Sequence, residues 1–293
     1  MTLFTRKDQR DAKEAVATFR KAAELNRNDP YVRGSILLLP AYGQAVMTGD
    51  LHGHLKNLEK LKKYAMLNRA HARHVILHEM IHAELSTPAD VDHSHELLLE
   101  AASYKCEFPD QVHFLQSNHE LSQLTGYLIA KNGRIVIQDF NHAVAKAYGA
   151  GASGDVLSAI NDFIASFPLA IRTENRVWLS HSLPNVHDMD EFDVGVFERE
   201  LTLETLKENR TVFHLVWGRR HTQAHIDALA ELLDVDVFIT GHQPQETGFT
   251  HLFDRLIILA SDHNHGSFLP FDLAKRHSAK DLVTNIRKFV EVV

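Results

Sequence analysis

Five short apolar runs in this chain each lead directly into side chains that bind metal ions. Val46-Met-Thr-Gly leads into Asp50-Leu-His52-Gly53-His54, and Val75-Ile-Leu leads into His78-Glu79. Phe114-Leu-Gln-Ser leads into Asn118-His119-Glu120, Trp178-Leu-Ser into His181, and Phe238-Ile-Thr-Gly into His242. In the Asp50-x-His52 triplet an extended backbone aims both side chains to one side. Gly49 and Gly53 permit the tight reversal and close approach that a bound ion requires. Carboxylate, amide and imidazole donors together suit manganese, iron or zinc. Histidine occurs 21 times against 14 glycines and 16 phenylalanines, an excess that itself points toward metal chemistry.

The elements that must position these residues alternate along the chain. The pattern predicts strands at 45–48, 74–77, 111–116, 177–180, 235–240 and 255–260, and helices at 55–70, 94–105, 155–166, 201–209 and 222–233. Strands interleaved with helices predict an α/β domain, with the donors just past the carboxyl ends of the strands, where open α/β sheets build their sites. Residues from about Lys7 to Glu24 read as an amphipathic helix stopped before Pro30. They give an N-terminal helical extension over 1–30, followed by one domain over 31–293. Residues 121–155 are less regular and read as an insertion with a flexible Gly149–Gly154 stretch.

The order Gly49-Asp-Leu-His-Gly53, Asn118-His-Glu120, His181 and Gly241-His242 resembles the calcineurin-like metallophosphoesterases, within them most the phosphoprotein phosphatase branch. Trp217-Gly-Arg-Arg220 and Gly241-His-Gln-Pro-Gln-Glu-Thr-Gly248 are similar to that branch's last motifs. The resemblance spans roughly residues 45–270. It implies a four-layer αββα sandwich of two mixed sheets flanked by helices, with the site at one edge between the sheets. It also implies one or two cations per chain, the two lying ~3.5–4 Å apart where both are present. Asp50 and His52 would hold the first and Asn118, His181 and His242 the second. His119 would assist the leaving oxygen, and Arg219 or Arg220 would grip the phosphate. The implied partner is a phosphorylated substrate, protein or small molecule.

The family's second motif, Gly-Asp-x-x-Asp-Arg-Gly, aligns here with Leu77-His-Glu-Met-Ile-His-Ala83. His78 then stands as a metal ligand where a bridging aspartate belongs, Ile81 where an aspartate orients the catalytic histidine, and His82 where an arginine binds phosphate. A neutral imidazole offers a single lone pair and no charge. Glu79 or Glu84 is the nearby carboxylate able to restore what is lost. Two other readings follow from the same stretch. One is a pseudophosphatase that binds metal, phosphate or a partner without efficient catalysis. The other is a zinc protease, because His78-Glu79-x-x-His82 matches H-E-x-x-H, a motif that requires a helix, whereas Val75-Ile-Leu77 reads as a strand.

Composition narrows the remaining classes. With 44% hydrophobic and 24% charged residues the chain can bury a core. A net charge of −7 argues against nucleic acid and anionic membrane as partners. Cys106 is the single cysteine, which excludes an intramolecular disulfide and an all-thiolate metal site. No apolar run approaches the ~20 residues that span a bilayer, and Met1-Thr-Leu-Phe-Thr-Arg-Lys-Asp lacks a signal peptide's apolar segment. The expectation is a soluble cytoplasmic protein.

Overall fold

The computed structural model describes residues 11–87 and 89–292, so residues 7–10 of the expected first helix lie outside the described residues. The chain begins with α1 (Ala12–Arg27), β1 (Val32–Arg33), β2 (Ile36–Leu39), β3 (Gln44–Asp50), α2 (Leu55–Ala65) and β4 (Arg73–His78). It continues through α3 (Ser94–Glu107), β5 (Val112–Leu115), α4 (Asn118–Thr125), β6 (Ala130–Lys131), β7 (Arg134–Ile135), α5 (Val136–Tyr148) and α6 (Ser153–Ala165). Next come β8 (Ala170–Thr173), β9 (Val177–Ser180), α7 (Leu203–Glu208), α8 (Arg210–Trp217) and α9 (Gln223–Leu233). The last elements are β10 (Val237–Thr240), β11 (Phe249–Leu252), β12 (Leu256–Leu259), β13 (Ser267–Asp272), α10 (Ala279–Val283) and β14 (Arg287–Lys288).

Two mixed sheets result. One runs β1-β2-β8-β9-β10-β12-β11, with β9, β10 and β12 parallel; the other runs β14-β13-β3-β4-β5, with β3, β4 and β5 parallel. Strand alternation explains the layering. Ala45 and Met47 of β3, Ile76 of β4, Val237 and Ile239 of β10, and Ile257 and Leu259 of β12 meet in one core between the sheets. The opposite faces, Val46, Val75 and Leu77, pack under α1, α2, α3, α5 and α6. Phe238, Leu256 and Ile258 pack under α7, α8 and α9. The fold is therefore the four-layer αββα sandwich. Among the described residues no helix is long and apolar enough to cross a membrane.

The amphipathic first helix docks on the body of the protein. Asp11 caps it by accepting from the amides of Lys13 and Glu14 at 2.9 and 3.2 Å. Phe19, fully buried, lies 5.8 Å from the ring of Phe163 on α6.

Several element boundaries differ from expectation for local reasons. The helix expected over 55–70 stops at Ala65, because Met66 takes the left-handed conformation at φ 43°. The single helix expected over 201–209 is part of a broken pair. Asn209 leaves helical geometry at ψ 121° and its side chain caps α8 instead. The stretch 121–155 is not irregular: it holds the end of α4, the β6–β7 hairpin, α5 and the start of α6.

Candidate metal centre at the seam of the two sheets

Backbone geometry at the strand ends builds the site. In the register of β3 against β4, a shift between Met47 and Asp50 sets Asp50 opposite His78. Asp50 also forms a parallel bridge with Ala260, just past β12 in the other sheet. That contact needs Gly49, since a Cβ there would collide with the carbonyl group of Leu259. Its amide donates to Ser261 Oγ at 2.8 Å. After β4 the Glu79 carbonyl accepts from the amides of Leu51 and His52 at 2.9 and 2.8 Å, so the loops after β3 and β4 hold each other. After β5, Ser117 caps α4 and fixes Asn118 and His119 in its first turn. His181 follows β9, and His242 follows β10.

Four non-glycine residues here adopt left-handed backbone: His52 (φ 41°), Glu79 (φ 46°), His82 (φ 60°) and His242 (φ 67°). Such conformations cost on the order of 1–3 kcal/mol each and concentrate at functional sites. They also exclude the protease reading, since with Glu79 and His82 outside right-handed helical space no helix carries His78-Glu-Met-Ile-His82.

The donor atoms converge from both sheets. Asn118 Oδ1, His181 Nε2 and His242 Nδ1 form a triangle with edges of 2.7, 3.0 and 3.1 Å. Both Asp50 oxygens accept from the His242 amide at 3.0 and 2.9 Å. Asp50 Oδ1 lies 3.1 Å from His78 Nε2 and 3.7 Å from His181 Nδ1. The Glu79 carboxylate is central, 3.7 Å from His52 Nε2, 3.8 Å from His119 Nε2 and 3.6 Å from His181 Nε2. Asp50, His78 and His181 thus form one group that could hold an ion, and His52, Glu79 and His119 another.

The donor set fits divalent cations by a further observation. Both His78 nitrogens and His181 Nδ1 are buried without a hydrogen-bond partner among the described residues, an arrangement that is costly unless something else meets them. A Cβ on Gly241 would land on Asp50 Oδ1 and close to His78 Nε2, so only glycine leaves that space open.

Burial sets the protonation states. It works to raise the Asp50 carboxyl, but the facing imidazoles of His78 and His181 hold it well below the usual carboxylate range. Glu79 moves the other way, raised well above that range by burial and by the charge of Asp50. Without a cation the negative charge is favoured on Asp50 and the proton on Glu79. Burial, with Lys131 nearby, pushes the His52 imidazole down to about 4. Burial pushes His82 to about 3, and burial with Arg219 pushes His242 to about 3. His119 is also held well below 6.5, by burial and the neighbouring His52.

These histidines stay neutral in the fold but protonate near pH 6.5 once unfolded. Their contribution to stability is complete above pH 6.5 and is lost as pH falls from there toward 3–4. Urea unfolding of the metal-free protein should therefore weaken below pH 6.5, with a slope nearing about 1.4 kcal/mol per pH unit for each such histidine. A flat profile between pH 7.5 and 4.5 would contradict these protonation states.

In the second motif His78 is buried beside Asp50 and His181, in one of the two groups that could hold an ion, and the Glu79 carboxylate lies among His52, His119 and His181. His82 is buried, with Nδ1 3.1 Å from His119 Nδ1 and Nε2 3.1 Å from Gln123 Oε1, so it abuts His119 and stays outside the cavity lining. Arg219 and Arg220 are both exposed; Arg219 lines the cavity, its Nε donating to His242 Nε2 at 2.9 Å, and Arg220 lies outside the lining.

Glu120, named in the third donor cluster, ties α4 to the loop after β4, accepting from the Met80 amide at 2.7 Å and from Ser117 Oγ. Asp262 and Lys131, which line the cavity, were given no role by the sequence reading. Lys131 arrives on the β6–β7 hairpin, and the signal that could have found it is Asn132-Gly133, the strongest two-residue hairpin turn. The cavity measures about 360 Å³. Beside it runs a groove of about 510 Å³ lined in part by Tyr127, Phe213 and Trp217, and the Trp217 ring lies 6.0 Å from that of His242.

Comparison with known proteins bears on the family and the fold. The sequence profile of the calcineurin-like phosphoesterases matches residues 45–246. No curated protein matches the chain by sequence. A protein serine/threonine phosphatase from Saccharomyces cerevisiae with similarity to human phosphatase PP5 is similar in structure. It has a TM-score of 0.68 and 14% identity over 92% of this chain and 85% of its own. A cold-active protein-tyrosine phosphatase of a psychrophilic Shewanella is similar at a TM-score of 0.59 and 16% identity, over 86% of this chain and 80% of its own. Both likenesses concern the fold.

Proposed function

The chain belongs to the calcineurin-like phosphoesterase family, and from that premise we propose that it is a metal-dependent phosphoester hydrolase of the phosphoprotein phosphatase branch. The observation that carries this reading is the convergence of Asp50, His52, Glu79, Asn118, His119, His181 and His242 on a single stretch of the sheet seam. Asp50, His78, Asn118, His181 and His242 would hold one cation and His52 a second, with Glu79 facing both, and manganese, iron and zinc are the cations suited to these donors. Bound there, the metals supply hydroxide at neutral pH and charge stabilisation at phosphorus.

The protein's own residues do the rest. His119, neutral at pH 7 before a cation binds, keeps Nε2 toward the cavity, where it would take up a proton lost by the attacking water and pass it to the leaving oxygen. His82 fixes the orientation of that ring and is itself held by Gln123, whose amide donates to Asn141 Oδ1 at 2.9 Å. Arg219 can leave His242 and offer its guanidinium to two phosphate oxygens. The substrate is a phosphorylated protein or small molecule in the cytoplasm.

Purified full-length protein should contain bound transition metal and hydrolyse p-nitrophenyl phosphate. Chelation should reduce turnover to background, and re-addition of manganese, iron or zinc should restore it. Metal-loaded protein that binds phosphate without turnover would instead identify a pseudophosphatase, and protein that takes up no metal would end the proposal.

A further inference from the structure

Resting on the hydrolase reading, we infer that Lys131 is a phosphate-gripping residue: its ammonium, carried into the cavity on the β6–β7 hairpin, binds an oxygen of the phosphoryl group together with Arg219. The cavity is lined by four acidic side chains, Asp50, Glu79, Glu84 and Asp262, and by two basic ones, Lys131 and Arg219. The second motif supplies no other cation, because Ala83 carries no charge and His82 is buried against His119.

The hairpin is built to hold this lysine in place. Asn132 and Gly133 have φ of 53° and 75°, the conformation of a two-residue primed turn. Asn132 Nδ2 donates to the Leu85 carbonyl at 3.2 Å, and Arg134 Nη1 to that of Thr87 at 3.0 Å. Arg134 also binds Asp139 through two hydrogen bonds of 2.8 and 2.7 Å. The turn is thereby fastened both to the loop after β4 and to α5.

Lys131 Nζ lies 3.3 Å from His52 Nε2, at the edge of the candidate metal centre. Its ammonium sits in the field of the Glu79 and Asp262 carboxylates without an ion pair to any described carboxylate, so it faces the cavity with its charge open to a ligand. A compact, mobile ammonium of this kind suits a phosphate oxygen as a point charge.

The test is inorganic phosphate binding to manganese-loaded full-length protein by calorimetry, alongside steady-state hydrolysis of p-nitrophenyl phosphate. Lys131→Met should raise the phosphate Kd and the KM by on the order of tenfold, with kcat changed less and metal content unchanged. Lys131→Arg should recover most of the binding, and both variants should keep the wild-type melting temperature. Unchanged Kd and KM in Lys131→Met would overturn the assignment. So would a gain of one cation per chain with unaltered KM, which would make the lysine a stand-in for metal at His52. Weaker phosphate binding in Lys131→Met, in a protein whose wild type binds phosphate but does not turn over, would sink the hydrolase reading and leave the assignment standing.

Discussion

Asp50→Asn is expected to strip the protein of its cations and to lower kcat/KM on aryl phosphates by roughly a thousandfold or more, the loss of several kcal/mol of charge stabilisation. Asp50 is the one carboxylate at the centre that is anionic before any ion arrives. Its two oxygens receive the His242 amide, and Oδ1 also faces His78 and His181. Asparagine matches the shape but replaces one acceptor by an NH2 group. That group would face either the His242 amide or the His78–His181 pair, so the substitution removes charge and misaligns His242 together. Metal analysis and steady-state kinetics on protein with unchanged circular dichroism check this. Wild-type stoichiometry and rate would remove Asp50 from the site.

Glu79→Gln is expected to be nearly as damaging, a fall of roughly a hundredfold or more in kcat/KM with loss of at least one ion per chain. His78→Gln should cost less than Glu79→Gln. The reasoning is positional: the Glu79 carboxylate stands within 3.8 Å of His52, His119 and His181, three rings from three different strand ends. Among the described residues it is the carboxylate within 4 Å of imidazoles from both donor groups. Because burial and Asp50 keep it protonated before a cation enters, ion uptake should also release a proton that the glutamine variant does not release. Calorimetry in buffers of different ionisation enthalpy measures that proton. A larger loss in His78→Gln than in Glu79→Gln would return the bridging place to His78.

The sequence carried much of this arrangement, and the shortfalls have physical causes. Asp50, His52, Asn118, His181 and His242 were legible because each closes an apolar strand with a donor, a local pattern that topology then collects. The second motif was the least legible because, with neither aspartate nor arginine left, nothing local fixes its register. Only the folded chain shows that the left-handed turn at Glu79 goes with a side chain lying among His52, His119 and His181. His82 looked like a phosphate ligand by alignment, yet its partners His119 and Gln123 lie 37 and 41 residues away and meet it only in the folded chain. Lys131 was missed because residues 121–155 show weak periodicity, although Asn132-Gly133 marks a hairpin. The strands β2, β8 and β13 were missed as well: β13 includes Pro270, which ordinarily argues against a strand with neighbours on both sides.

The bridge from Asp50 to Ala260 divides the donors between halves of the molecule that share no other described strand pairing: β3, β4 and β5 carry Asp50, Glu79 and Asn118, while β9 and β10 carry His181 and His242. An ion ligated from both sides acts as a rivet. Its binding free energy adds directly to the work needed to part the two layers, and anything that loosens their facing apolar surfaces far from the centre is felt as weaker affinity.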